Sequence, residues 1–272
     1  MARRPAAAVL PSLSAAALRR FHRHGWVRIP GAFDPSDAGR MRALIWESLQ
    51  RRYGARCDEP ASWDDAWFGL KPLGRHAAFR AIATPRLGSA LDQIIGSGRW
   101  QWPRAWHMFL VSPPQAVPGP WRVPELGWHY DALPEAGMGL NAFVFYDRVA
   151  AHGGGTLLLE GSQRLLARFL DEHRSELAGR SFRAVRDLFA HHHPWLRRLH
   201  GVDGRRSARG LELLRPSRAR DGTGLCVREM TGEPGDVILW CSWMYHVRPS
   251  HHLHRPRLMG NVRIPLLATA TT

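Results

Sequence analysis

Apolar positions follow two regimes along the chain: mainly helical spacing before residue 100, and mainly extended spacing after it, interrupted by one helical stretch from Gln163 to His200. Residues Ser14–His24 predict a short helix, and the apolar run Trp26–Ile29, closed by Pro30-Gly31, predicts a strand. Asp34-Pro35 joins an N-cap side chain to a residue whose fixed φ suits a first helical turn. Met41, Leu44, Ile45 and Leu49 then recur on one stripe, predicting a helix as far as Tyr53, before Gly54. Residues 55–78, rich in Trp, Asp and Gly, predict irregular backbone, and a helix follows near Pro85–Ile95. A strand is expected over Ala105–Val111, stopped by Ser112-Pro113-Pro114, with a loop over 112–127.

Beyond that loop the pattern is extended. Gly139–Val149 and Thr156–Glu160 predict strands, separated by Gly153-Gly154-Gly155, the second ending at Gly161-Ser162. From Gln163 to His200 the spacing turns helical, with Leu165, Leu166, Phe169 and Leu170 and later Val185, Leu188 and Phe189. This predicts an insertion over about 163–222 between strands of one sheet system, not a second domain. Arg205–Thr223 is polar and contains glycine, so a mobile loop is expected there. Strand character returns at Leu225–Met230, Asp236–Tyr245 and Leu258–Leu266. The whole predicts a single domain, 1–272: N-terminal helices over 13–95 and a mainly β core over 105–266.

Composition narrows the class. A hydrophobic content of 44% and 12 tryptophans can supply a substantial core, which excludes a disordered chain. No run of about 18 apolar residues exists, so no transmembrane helix is expected. The opening Met1–Leu10 is basic but lacks a long apolar centre and a cleavage site. Cys57, Cys226 and Cys241 are scattered without a Cys-x-x-Cys, which predicts reduced thiols and a cytoplasmic location. The net charge of +15 raises nucleic-acid binding. However, Lys71 is the single lysine among 38 basic residues, and the arginines are spread as pairs such as Arg19-Arg20 and Arg197-Arg198. Coding bias explains that pattern better than a basic groove does.

The candidate chemistry sits at Gly127-Trp128-His129-Tyr130-Asp131. A histidine and a carboxylate two residues apart on an extended segment point to the same side and can grip one ion. Two histidines and one carboxylate form the facial triad of non-haem iron(II), which leaves coordination positions open. Alone, His129 and Asp131 are a weak signal in a chain with 15 histidines. The third ligand is sought at His246, which period two places on one strand face with Ile238, Trp240, Ser242 and Met244. His251, His252 and His254 are rivals, and His246 could equally be a hydrogen-bonded core histidine. If Asp236–His246 and Leu258–Leu266 form a hairpin, Arg257 approaches the metal, and Arg263 on the same face lies roughly 20 Å from it. Arginine suits a bidentate grip on a carboxylate, such as the distal end of 2-oxoglutarate. On composition alone Arg257 could be one more surface arginine.

Together, His129-Tyr130-Asp131, the Gly153–Ser162 strand and turn, Gly235-Asp236 leading to His246, and Arg257 eleven positions later form a recognisable set. On these residues the chain resembles the phytanoyl-CoA dioxygenase family of iron(II)- and 2-oxoglutarate-dependent oxygenases. Phe21–Gly31 resembles the N-terminal helix and strand of that family. The resemblance implies a double-stranded β-helix, a cupin-like jelly roll with helices packed outside. It implies iron on His129, Asp131 and His246, with 2-oxoglutarate salt-bridged to Arg257 and O2 as the oxidant. Phe143 stands where many members carry a tryptophan beside the cosubstrate, while Gln163 and Arg248 replace a histidine and a hydroxyl residue. Because Asp131 is present, hydroxylation of a small-molecule C–H bond is expected rather than halogenation. Two alternatives are a non-catalytic metal-binding sensor and an oxygenase acting on nucleic acid.

Overall fold

The computed structural model describes residues 12–63, 69–106, 108–114, 119–134 and 139–267; the Met1–Leu10 segment weighed above lies outside them. The N-terminal part follows its local signals. Ser14 caps α1 (Ala15–His24) by accepting from the Ala17 N–H, and Gly25 closes it at φ 88°. After β1 (Trp26–Ile29), Asp34 caps α2 (Pro35–Tyr53), whose buried stripe is Ala38, Met41, Ile45 and Leu49. Among the described residues of 55–78, 3-10 turns form at Pro60–Ser62 and Lys71–Arg75, and a third turn, Ala77–Ile82, leads to α3 (Pro85–Ile95).

Nine strands among the described residues make two facing antiparallel sheets. The remaining strands are β2 (Met108–Ser112), β3 (Leu140–Phe145), β4 (Leu157–Glu160), β5 (Ser217–Arg218), β6 (Gly224–Glu229), β7 (Val237–Cys241), β8 (His246–Val247) and β9 (Arg257–Ile264). The large sheet has the order β1-β7-β3-β9-β2 and the small one β5-β6-β4-β8. This is the jelly-roll class, with helices packed outside.

Each sheet has an inner and an outer apolar layer. Ala142 and Val144 of β3 and Val262 and Ile264 of β9 pack in the same cluster as Met41, Ile45 and Leu91 of the N-terminal helices. Leu157 and Leu159 face the other way, against helices α4 (Ser162–Glu172), α5 (Arg174–Leu177), α6 (Phe182–His192) and α7 (Pro194–Leu199). The insertion therefore gives the small sheet an apolar cover, which is why β4 is buried on both faces. Gly161 makes the turn into α4 at φ 81°, and a Cβ there would stand 2.2 Å from the Gly224 carbonyl oxygen.

Three expectations need correction. The hairpin of Asp236–His246 with Leu258–Leu266 does not form, because β3 lies between β7 and β9 and pairs with both. After Cys241 the chain turns across to the small sheet, where His246 pairs with Leu158, before returning as β9. A one-dimensional period of two could not reveal that crossing. Arg205–Thr223 is not a loose loop. Arg206 donates to the carbonyls of Val123, Pro124 and Leu199, and Leu213 and Ala219 are buried. Finally, β2 and β3 are displaced from, or shorter than, the predicted Ala105–Val111 and Gly139–Val149 strands.

Candidate metal centre

His129 and Asp131 lie on an extended segment that runs antiparallel to residues 242–246. His129 N–H donates to the His246 carbonyl at 3.0 Å, His246 N–H donates back at 2.7 Å, and Asp131 N–H reaches Ser242 O at 3.2 Å. Pairing backbones this closely sets the two imidazoles side by side, with ring centroids 4.2 Å apart. Both rings are oriented from behind. The Nδ1 of His129 lies 2.7 Å from Gly127 O, and the Nδ1 of His246 lies 3.0 Å from Met244 O. A carbonyl only accepts, so each Nδ1 carries the hydrogen and each Nε2 presents a lone pair.

Asp131 completes the arrangement. Its Oδ1 lies 3.7 Å from His129 Nε2 and 3.7 Å from His246 Nε2, and its Oδ2 accepts from Asn141 Nδ2 at 3.4 Å. Three donor atoms thus converge with backbone and amide groups fixing their direction, the outer-shell pattern that metal ligands require. Burial holds His246 neutral, its pKa pushed down to about 4, with Asp131 opposing and His129 adding to the shift. A neutral imidazole is the ligand form. His251, the rival, stands apart, bridged to Gly153, and its pKa is likewise pushed down to about 4, by burial and by Arg257. A second cluster of suitable atoms, Glu172, His173 and His192, lies on the outside of the insertion.

Behind the three donors the inner faces of the sheets are aromatic, then cationic. Trp240 meets His246 edge-on at 4.9 Å and stacks on Phe143 at 4.9 Å. On β9 the inner face is Arg257, Met259, Asn261 and Arg263, since Asn261 pairs with Phe143 and Arg263 with Asn141. Arg257 is 2% exposed and donates to the Gly154 carbonyl, but its Nε has no partner and no carboxylate lies within 4 Å among the described residues. Burial and Arg248 push its pKa below the ordinary arginine range, while Glu229 pulls it back. Ser112, directly opposite Arg257 in the β2–β9 register, is also buried with an unpartnered Oγ. Two orphaned donors side by side fit an anionic ligand with several acceptor oxygens.

Sequence reasoning missed Ser112 and Asn141. Ser112 read only as a strand stop, and nothing in the spacing of Asn141 points at Asp131. It also placed Arg263 away from the metal on an assumed hairpin. In the fold, Arg263 and Asp131 line one cavity of about 390 Å³, while Arg257 occupies the other end of the same strand face.

No known family profile and no curated protein matches this chain. Solved structures do share its fold. The epimerase SnoN, in complex with Fe3+, alpha ketoglutarate and nogalamycin RO, aligns with a TM-score of 0.54 at 16% identity, over 92% of this chain and 82% of that one. The non-heme alpha ketoglutarate dependent carbocyclase SnoK from nogalamycin biosynthesis gives 0.51 at 16%, over 93% and 84%. AviO1 from Streptomyces viridochromogenes Tue57 gives 0.51 at 15%, over 98% of both chains. The chain thus shares the jelly-roll fold used by non-heme 2-oxoglutarate-dependent enzymes.

Proposed function

We propose that this protein is an iron(II)- and 2-oxoglutarate-dependent oxygenase that hydroxylates an unactivated C–H bond of a small molecule. The observation that carries the reading is the convergence of His129 Nε2, His246 Nε2 and Asp131 Oδ1 with both imidazoles locked by carbonyls. Two nitrogens and one carboxylate oxygen suit iron(II) and leave positions for two further ligands. Iron with 2-oxoglutarate and O2 supplies an oxidant strong enough to take hydrogen from such a bond.

The chain's own residues bind and orient. Arg257 and Ser112 would hold the distal carboxylate of 2-oxoglutarate, which would give the buried guanidinium its missing counter-charge. Phe143, stacked on Trp240, would line the path between that carboxylate and the metal and keep water away from it. Asn141 would keep Asp131 Oδ2 engaged, so that Oδ1 alone faces the metal. The presence of Asp131 supports oxygenation over halogenation, because halide would need its position.

Incubating purified protein with iron(II), ascorbate, 2-oxoglutarate and O2 should yield succinate. No oxygen-dependent succinate, or a chloride-dependent chlorinated product, would refute the reading. A related outcome with the same cofactors, epimerisation or ring closure, follows if the substrate radical is redirected before hydroxyl is returned. SnoN and SnoK make that the second reading, and the mass change of the product separates it from hydroxylation.

A further inference from the structure

The cavity that reaches Asp131 is rimmed by three arginines drawn from three separate segments. Arg75 ends the Lys71–Arg75 turn, Arg104 lies between α3 and β2, and Arg263 comes from β9. All three are exposed, and none of the three guanidinium groups has a hydrogen bond or ion pair among the described residues. Among the described residues, the only acidic one lining the cavity is Asp131, which metal would neutralise. Some arginines elsewhere find carboxylates, as Arg42 does with Asp147, Arg148 with Glu233 and Arg168 with Asp221.

With 38 basic and 23 acidic residues some arginines must remain unpaired. Chance excess would scatter them over convex surface, where water solvates each one separately. Here three like charges face one concavity, and an anion between them would turn their weak, solvent-screened repulsion into attraction. Guanidinium groups present fork-shaped donors that match tetrahedral oxyanions with several acceptor oxygens. The remaining lining, Pro103, Ala105, Met108, Val262 and Pro265, is largely apolar.

From this we infer that the substrate carries an anionic oxygen group, of which a phosphate monoester fits best, bound by Arg75, Arg104 and Arg263 while its carbon skeleton faces the metal. This deepens the oxygenase reading and rests on it for the word substrate. A cavity of about 390 Å³ takes a small molecule rather than a length of nucleic-acid backbone.

The test uses full-length protein loaded with nickel(II) and 2-oxoglutarate, titrated with phenyl phosphate, phenyl sulfate, benzoate and neutral benzyl alcohol in a calorimeter. Phenyl phosphate should bind at least about tenfold more tightly than benzyl alcohol, and the preference should shrink between about 50 and 300 mM salt. The triple variant R75Q/R104Q/R263Q should weaken phenyl phosphate binding by at least about tenfold, and the matching triple lysine variant should recover part of it. The control R174Q/R180Q/R183Q, in the insertion, should not change it. Equal binding of benzyl alcohol, or equal loss in the control, would overturn the inference. So would a short oligothymidylate that displaces phenyl phosphate more strongly than phenyl sulfate does. Anaerobic iron(II) protein, read by its 2-oxoglutarate absorption band, reports on the oxygenase reading separately. A missing band with intact phosphate preference would fault that reading alone, and an intact band without the preference would fault this one.

Discussion

Strand β9 carries two arginines on one face, and its ends treat them oppositely. Arg257 is sealed in by Ser112, by the Gly153–Gly155 loop and by Glu229 of β6, whereas Arg263 stands exposed at the cavity that Asp131 lines. The residue type is identical and the strand is the same. What differs is the water. A guanidinium cut off from solvent needs an anion at a defined place, because a buried unpaired charge costs several kcal/mol. An exposed one keeps its hydration and acts by attraction, weakly and over a longer range. The loop can close so tightly over Arg257 because Gly155 allows it: a Cβ there would stand 2.3 Å from the Met230 carbonyl oxygen.

The largest expected effect abolishes the function of both ends at once. His246→Ala or His129→Ala should eliminate iron binding and succinate formation, because a facial triad has no spare ligand. Metal content by emission spectroscopy checks this, and a His246→Ala protein that keeps its iron while His251→Ala loses it would replace His246 by His251 as the ligand. Next, Arg257→Ala should weaken 2-oxoglutarate by about 30- to 1,000-fold, or about 2–4 kcal/mol, with Arg257→Lys between it and wild type. Arg263→Ala should leave that affinity within about threefold, as expected of an exposed charge. If the two variants behave alike in an anaerobic titration, burial is not what distinguishes the two ends.

Ser112→Ala sharpens the comparison at the sealed end. Loss of one neutral donor to a charged group should cost about 1–2 kcal/mol of 2-oxoglutarate binding, or about 5- to 30-fold, with iron binding unchanged. A smaller effect concerns Glu229, whose carboxylate faces the same region. It accepts from the His152 N–H at 2.7 Å, but its Oε1 is unpartnered, and burial pushes its pKa from 4.5 up to about 7. The folded chain therefore holds this proton more tightly than the unfolded chain does. Stability from it is complete below the unfolded value and is lost as pH rises towards the folded one, by at most about 3 kcal/mol. Denaturant midpoints should fall between pH 4.5 and 7 in the wild type more than in Glu229→Gln. Equal slopes would show that Glu229 is not protonated within that window.

Much of this architecture was legible in one dimension. Ser14, Asp34, Gly25 and Gly54 mark helix ends because capping is a contact within four residues. The His129–Asp131 pair was legible for the same reason, since period two acts along a single strand. The helical insertion after Gly161 was legible because the spacing of Leu165, Leu166 and Phe169 changes there. The partners of the strands were not legible. Nothing local says that β3 separates β7 from β9, or that the chain after Cys241 crosses to pair with Leu158. Register across a sheet is settled by which apolar faces can be buried together, a property of the whole core.

The sequence by itself therefore determined the inventory: two histidines and a carboxylate at workable spacing, strands enough for two sheets, and a surplus of arginines. Tertiary structure decided what each member does. It set His246 against His129 through a backbone pair, put Ser112 beside Arg257, and opened the Arg263 end while closing the other. Those choices depend on desolvation and on contacts between residues far apart in the chain, such as Ser112 and Arg257, and no local window along the chain contains both partners.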